Sequence, residues 1–180
     1  QTDAAGRTTE YSPNVVTGLV TCITTPDGRK SEFYYNNQNQ LTSATGPDGL
    51  EMRRKYDEYG RLTQETARNG DVTRYSYDNP HSELPSVTED ATGSRKQMTW
   101  SRYGQLQTFT DCSGYETRYE YDRFGQMTAV HREESISLYR SYDNRGQLIS
   151  VKDTQGRETQ YEYNAAGDPT AIIAPDGNRS

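Results

Sequence analysis

The chain is poor in the residues that usually build a protein core. Leu, Ile, Val and Phe together account for 23 of its 180 residues, and its mean hydropathy is -1.11. So low an aliphatic content is typical of disordered chains. It argues against a conventional globule with an aliphatic interior. It also argues against a membrane span, because no run approaches the roughly 18 apolar residues that a spanning helix needs.

Positive charge and cysteine are scarce as well. Twenty basic residues stand against 26 acidic ones, and this balance argues against a nucleic-acid surface, which needs clustered positive charge. The two cysteines, Cys22 and Cys112, are separated by 90 positions, about four of the repeats described below. We therefore expect free thiols rather than a disulfide. The first residues show neither the charged nor the apolar segment of a secretory signal.

What the sequence has in place of aliphatics is regularly spaced tyrosine. Its 15 tyrosines include most of a series of aromatic residues that recurs in steps of 21 residues, once of 23. We call this series the landmark aromatics: Tyr35, Tyr56, Tyr77, Trp100, Tyr121, Tyr142 and Tyr163. Four residues after most of them stands a landmark glycine, as at Gly60, Gly104, Gly125 and Gly146.

A fixed period of this kind identifies a repeat protein. We assign residues 35–180 to tandem repeats of about 21 residues. Residues 1–34 are assigned to an atypical first repeat, with an inserted loop at about Glu10 to Gly18. A second glycine lies seven residues before most landmark aromatics, whereas Ser135 holds that place before Tyr142.

The turn residues that separate the segments of each repeat predict β-hairpins. Dipeptides such as Asp27-Gly28 and Asn69-Gly70 favour two-residue type I′ turns, in which both residues have positive φ. The segments after them alternate with period two, so Tyr119 and Tyr121 should share one face of a strand. The sequence therefore predicts an all-β antiparallel meander of repeated hairpins, two strands per repeat, with the landmark aromatics buried as a ladder in place of an aliphatic core.

The aliphatic residues do not fit a regular strand. Leu106 and Phe109 are three residues apart, as are Leu148 and Val151, which places the members of each pair on opposite faces. Either a β-bulge restores the alternation or both faces are partly covered.

Few residues suggest chemistry. His131 is close in sequence to Glu133 and Glu134 and could act in acid–base or metal chemistry, but we favour exposed polar residues for it and for His81. The aspartates that follow landmark aromatics come once per repeat, too sparse for a calcium site, so turn capping is favoured for them: Asp57, Asp78, Asp122 and Asp143. We predict no catalytic residue, no bound metal and no cofactor.

The pattern Tyr-Asp-x-x-Gly-x-Leu, then a polar strand, a glycine and Tyr-x-Tyr-Asp, resembles the YD or RHS repeat. Residues Tyr56-Asp-Glu-Tyr-Gly-Arg-Leu62 through Tyr75-Ser-Tyr77-Asp78 form a complete copy. The stretch from Asp111 to Glu134 is similar to the core region of enterobacterial Rhs proteins. The resemblance covers residues 35–180 closely and the first 34 loosely.

The resemblance implies a structural function. In that family the repeats build a sheet that spirals into a hollow shell around a C-terminal toxin, which is exported from the bacterium, often through type VI secretion. Related repeats occur in insecticidal toxin complexes and teneurins. The family's DPxGL-type autoproteolysis signature is not matched, since Thr170 and Ala171 follow Asp168-Pro169. We expect a non-catalytic wall segment of a longer array, with an extracellular carbohydrate-binding or adhesive array as the alternative.

Unpaired strand edges lead to a prediction about association. If the array continues beyond this chain, its first and last strands have open edges that can pair with another copy. We expect self-association at the concentrations used for crystals, and light scattering would detect it. A strictly monomeric mass at high concentration would contradict it.

Overall fold

A computed structural model describes residues 1–132 and 136–180. It contains only β-strands, and within the described ranges there is no helix, hence none able to cross a membrane. Within each of the two units described below, the strands pair antiparallel with their neighbours in chain order, which confirms the all-β meander. The strands are β1 (Glu10–Pro13), β2 (Val20–Thr24), β3 (Lys30–Tyr35), β4 (Leu41–Thr45), β5 (Glu51–Tyr56), β6 (Leu62–Thr66), β7 (Val72–Ser76), β8 (Val87–Glu89), β9 (Arg95–Trp100), β10 (Leu106–Thr110), β11 (Glu116–Tyr121), β12 (Met127–Arg132), β13 (Ile136–Tyr142), β14 (Leu148–Asp153), β15 (Glu158–Tyr163) and β16 (Pro169–Ile173).

The chain divides into two compact units. The first comprises Gln1–Arg95 and holds β1 to β8; the second comprises Lys96–Ser180 and holds β10 to β16 with nearly all of β9. Each unit repeats the same two-strand element. The turn and strand contacts of one repeat therefore recur within each unit.

The first repeat departs from the sequence prediction. Glu10–Pro13, predicted as the start of an inserted loop, is strand β1 and pairs with β2. Only the segment after it is a turn, in which the Asn14 side chain accepts hydrogen bonds from the N–H groups of Val16 and Thr17 at 2.8 and 3.0 Å. The insertion adds a strand and its turn rather than a free loop.

The glycine turns are not type I′. At Asn69-Gly70, the Gly70 N–H donates to the carbonyl of Ala67 (2.9 Å), and the Ala67 N–H donates to that of Asp71 (2.8 Å). Gly70 has a φ of 90°, whereas Asn39 is the only non-glycine with positive φ among the residues that the structure describes. The type I′ assignment is wrong, because only the glycine is left-handed, as in a type I turn followed by a glycine bulge.

The return turns have the same construction. The Gly60 N–H donates to the carbonyl of Asp57 (3.0 Å), and the Asp57 N–H donates to that of Arg61 (2.9 Å). The same turn geometry thus occurs at both ends of the strands, although the two sequence motifs differ.

A bulge resolves the spacing of the aliphatic residues. Between β3 and β4, Phe33 pairs with Ala44 and Tyr35 pairs with Leu41, so three residue steps on one strand face two on the other. The same register shift occurs in later hairpins. Apolar residues three apart therefore share a face, and the bulge alternative is the correct one.

The sheet has little fully enclosed interior. In the described ranges only four hydrophobic residues are buried: Ala44, Ala129, Val130 and Ala171. The landmark aromatics are half-buried, like Thr117 and Tyr119 on the same face of β11, whereas Arg118 and Glu120 on its other face are exposed. The predicted sharing of faces is confirmed, but the aromatic ladder lies on one face of a sheet instead of inside a closed core.

The turn geometry predicts unequal effects at Asn69 and Gly70. Gly70→Ala should lower the free energy of unfolding by about 1–2 kcal/mol, because a residue with a Cβ is strained in the left-handed region. A Cβ there would meet no atom within 4 Å, so the cost is backbone strain alone. Asn69→Ala should cost less, since it loses only two exposed hydrogen bonds, one from the Asp71 N–H (3.0 Å) and one from its own Nδ2 to the Asp71 carboxylate (2.7 Å). Urea unfolding measures both variants, and equal costs would restore the type I′ assignment.

Candidate functional site: contacts between successive repeats

The hydroxyls of the landmark tyrosines bond to the main chain of the neighbouring strand. Each donates to the carbonyl of the residue 15 positions earlier, at 2.7–2.8 Å. The one landmark aromatic that is not a tyrosine is Trp100, at the end of β9. The six tyrosine bonds join Tyr35 to Val20, Tyr56 to Leu41, Tyr77 to Leu62, Tyr121 to Leu106, Tyr142 to Met127 and Tyr163 to Leu148.

Each ring lies between the aliphatic residues of two repeats. Tyr56 pairs directly with Leu62 on the following strand, while its hydroxyl reaches back to the carbonyl of Leu41 on the preceding one. The ring contributes apolar contact area, and its hydroxyl keeps a partner, as half-buried tyrosines require. A hydrogen bond of this kind contributes about 0.5–1.5 kcal/mol, and the contact recurs in successive repeats.

A second set of contacts joins successive return turns. In four repeats the Nε2 of a glutamine donates to the carbonyl of the glycine one repeat later. The pairs are Gln40 with Gly60 (2.7 Å), Gln105 with Gly125 (3.3 Å), Gln126 with Gly146 (3.1 Å) and Gln147 with Gly167 (3.0 Å). The landmark glycines therefore serve as acceptors as well as turn residues.

The turns pack closely at these contacts. At Gly146 an added Cβ would lie 2.8 Å from the Nε2 of Gln126. Our sequence analysis did not identify these glutamines, although their recurrence directly after the landmark glycine position is visible in the sequence.

The prediction that aspartates after landmark aromatics cap the turns is confirmed for Asp57, Asp122 and Asp143 and wrong for Asp78. The Oδ1 of Asp122 accepts hydrogen bonds from the N–H groups of Phe124 (2.9 Å) and Gln126 (3.0 Å). At Asp57, desolvation alone would raise the pKa of the carboxyl, but bonds from Arg61 and from the Tyr59 N–H outweigh it and lower that pKa. Asp78, in the longer turn, instead accepts a bond from the Asn79 side chain (3.2 Å).

His131 lies in a cross-strand cluster. Its Nδ1 is 2.8 Å from the Oγ of Ser137, and its Nε2 is 3.2 Å from an oxygen of Glu120. Glu133 and Glu134, considered as its partners from the sequence, lie outside the described residues. Ser137 is only 8% exposed and pairs with His131 inside the ladder, whereas acyl transfer needs an accessible nucleophile and oxyanion donors. The geometry supports a structural network more than catalysis.

The remaining candidates are isolated. His81 is exposed in the longer turn, Cys22 is a half-buried free thiol and Cys112 an exposed one. Within residues 1–132 and 136–180, no group of three or more His, Cys, Asp and Glu side chains could hold a metal ion.

Several return turns expose an aromatic side chain. Tyr103 and Phe124 are each 74% exposed and occupy the same position in consecutive turns. The guanidinium of Arg102 lies 4.8 Å from the Tyr103 ring centre, and that of Arg123 lies 4.8 Å from the Phe124 ring centre. These rings, unlike the landmark aromatics, are open to solvent.

Comparisons with known proteins agree with this architecture. The family described as RHS Repeat matches residues 16–51, 56–95, 100–135 and 142–179. The fold is similar to that in the crystal structure of TcdB2-TccC3-TEV, with a TM-score of 0.52 and 14% identity over 92% of this chain and 11% of that one. The Photorhabdus luminescens Tc holotoxin pore matches with a TM-score of 0.39 and 14% identity, over 88% of this chain and 12% of that one. The chain thus spans about a ninth of the length of these proteins.

The Tyr121 hydroxyl carries a prediction about stability and pH. Burial, with a smaller contribution from Tyr119, raises the pKa of Tyr121. The folded state therefore holds this proton more tightly than the unfolded state, and stability should fall as the pH rises beyond about 10. Tyr121→Phe should cost about 1 kcal/mol at neutral pH and make the alkaline fall less steep. Urea unfolding at pH 7 to 11 tests this, with the exposed Tyr115→Phe as the control, and equal alkaline slopes in all three proteins would contradict it.

Proposed function

Because the chain belongs to the RHS repeat family, we propose that it is a wall segment of a larger RHS shell that encloses a C-terminal toxin for delivery to competitor or host cells. In this proposal the segment is non-catalytic and the parent protein is exported from a bacterium. Its partners are the remaining repeats, the enclosed toxin domain and, through other regions of the parent, components of a secretion system such as type VI. Self-association of this chain through its strand edges remains a prediction.

The observation that carries the proposal is the pair of recurring contacts between repeats. The tyrosine bonds span 15 residues and the glutamine bonds span 20, so each of these bonds joins a repeat to its immediate neighbour. Such contacts allow a wall to be extended by adding repeats. No enclosed core limits its length, since the landmark aromatics lie on one face of the sheet.

The two faces of alternating strands such as β3 and β11 also suit a wall, although every residue of β2 and β6 is half-buried. On β11 the half-buried face carries Tyr119 and Tyr121, and the exposed face carries Arg118 and Glu120. A sheet with one apolar and one charged face can separate two environments, which a shell around a cargo requires.

Electron cryomicroscopy of the full-length parent protein tests the proposal. We expect a closed hollow particle with density inside it and protection of the enclosed domain from an added protease. Tyr142→Phe removes one bond between repeats and should increase cleavage of that domain, whereas the exposed Tyr103→Phe should not. An open array with a freely cleaved C-terminal region would contradict the proposal.

The alternative, a carbohydrate-binding or adhesive array, is favoured by one observation. The landmark tyrosines are half-buried with bonded hydroxyls, but Tyr103 and Phe124 offer exposed rings beside arginines. A glycan array probed with this chain and with its Tyr103→Ala/Phe124→Ala variant distinguishes the two functions. Binding that the variant loses would support the alternative, and no binding would favour the wall.

A further inference from the structure

One return turn is longer than the others. The chain takes ten residues, 77–86, to pass from β7 to β8, and the step from Tyr77 to Trp100 is longer than every other step between landmark aromatics. This turn contains no glycine, so it lacks the landmark carbonyl that a glutamine binds in four other repeats. The residue one repeat earlier, in the glutamine position, is Arg61.

Arg61 joins three parts of the structure. Its Nη1 donates to the carbonyls of Asn79 (2.6 Å) and Ser82 (2.9 Å), both in the long turn. Its Nε donates to the Oδ2 of Asp57 (2.8 Å), in its own turn. Its guanidinium carbon lies 4.2 Å from the ring centre of Tyr77, the landmark aromatic at the start of the long turn.

The chemistry of the guanidinium explains why arginine suits this place. Its rigid fork of five N–H donors reaches two carbonyls of the enlarged turn while it keeps the ion pair with Asp57. A glutamine side chain is shorter and has a single amide group, which donates to one carbonyl, as that of Gln40 does to Gly60. Because both acceptors in the long turn are main-chain groups, the contact does not depend on the side chains of that turn.

Arg61 is more buried than another arginine that forms an ion pair with an aspartate of its own turn. Arg157 has the same bond from its Nε to the preceding aspartate, Asp153, at 2.7 Å, but its side chain is 67% exposed. The side chain of Arg61 is only 15% exposed. The difference reflects the contacts that Arg61 makes across to the next return turn.

We propose that Arg61 is the positioning residue that allows this repeat array to carry an enlarged return turn. It replaces the glutamine–glycine contact by two arginine–carbonyl contacts, and so keeps the long turn attached to the preceding one. Residues 79–83 then form a loop whose side chains can vary without loosening the sheet. Arginine in the glutamine position and a lengthened turn one repeat later belong together.

Amide hydrogen exchange tests the first part of the proposal. In Arg61→Gln, the hydrogen-bonded amides of the long turn, those of His81, Ser82 and Ser86, should exchange at least ten times faster than in the unmodified chain. Arg157→Gln loses the equivalent ion pair within its turn and should leave exchange at 79–86 unchanged. The proposal is overturned if Arg61→Gln leaves this exchange unchanged too.

A shortened turn tests the pairing of arginine with turn length. Residues 78–84 are replaced by Asp-Arg-Phe-Gly-Gln, the sequence of positions 122–126. The new glycine then lies 20 residues after position 61, just as Gly60, whose carbonyl accepts from Gln40, lies 20 residues after Gln40. Arg61→Gln should lower the melting temperature of the natural chain but raise that of the shortened chain, where the glutamine regains its glycine carbonyl. A decrease of equal size in both backgrounds would overturn the proposal. If the shortened chain does not fold, the exchange result alone decides.

Discussion

The structure depends on the hydrogen bond between a tyrosine hydroxyl and a main-chain carbonyl of the preceding repeat. A chain with so few aliphatic residues cannot bury enough apolar area to offset the entropy of ordering by that route alone. The landmark tyrosines supply ring area on one face of the sheet, and their hydroxyls bond to the neighbouring strand (Tyr56 to Leu41, for example). Half-buried rings are sufficient because each one both contacts its neighbours and is bonded to them.

The register and the turns make that bond possible. The bulge beside a return turn, as between β3 and β4, sets Tyr35 opposite Leu41 while Phe33 stays opposite Ala44. The glycine bulge lets a short turn close each hairpin, and the capping carboxylate of Asp122 binds the turn's free N–H groups. The glutamine contacts, such as that of Gln147 with Gly167, then hold successive return turns together. Each device is local: the glycine bulge closes both kinds of turn, and the glutamine contact occurs in four repeats.

The sequence predicted the fold class, the repeat length and the side of the strand on which Tyr119 and Tyr121 lie, because period and parity follow directly from spacing. It did not decide the bulge, since a spacing of three residues fits two arrangements until the pairing is known. It indicated the wrong turn type at Asn69-Gly70, because the same dipeptide occurs in two-residue turns and in longer bulged ones. The contact of Gln126 with Gly146 was missed for a physical reason: a bond between the turns of successive repeats can be foreseen only when the neighbouring turns are known.

The short sequence span of these contacts affects how such a chain can change length. Every bond of the tyrosine and glutamine sets is completed within a single period. A gene segment that encodes one whole period can therefore be duplicated or lost by unequal recombination. Across the new junction, each tyrosine hydroxyl and each glutamine amide again finds an equivalent main-chain carbonyl in the neighbouring repeat. Exchanges out of phase with the period would separate Tyr142 from the carbonyl it needs. Selection for intact pairing would thus keep the periodicity of the gene while leaving the number of copies free to drift.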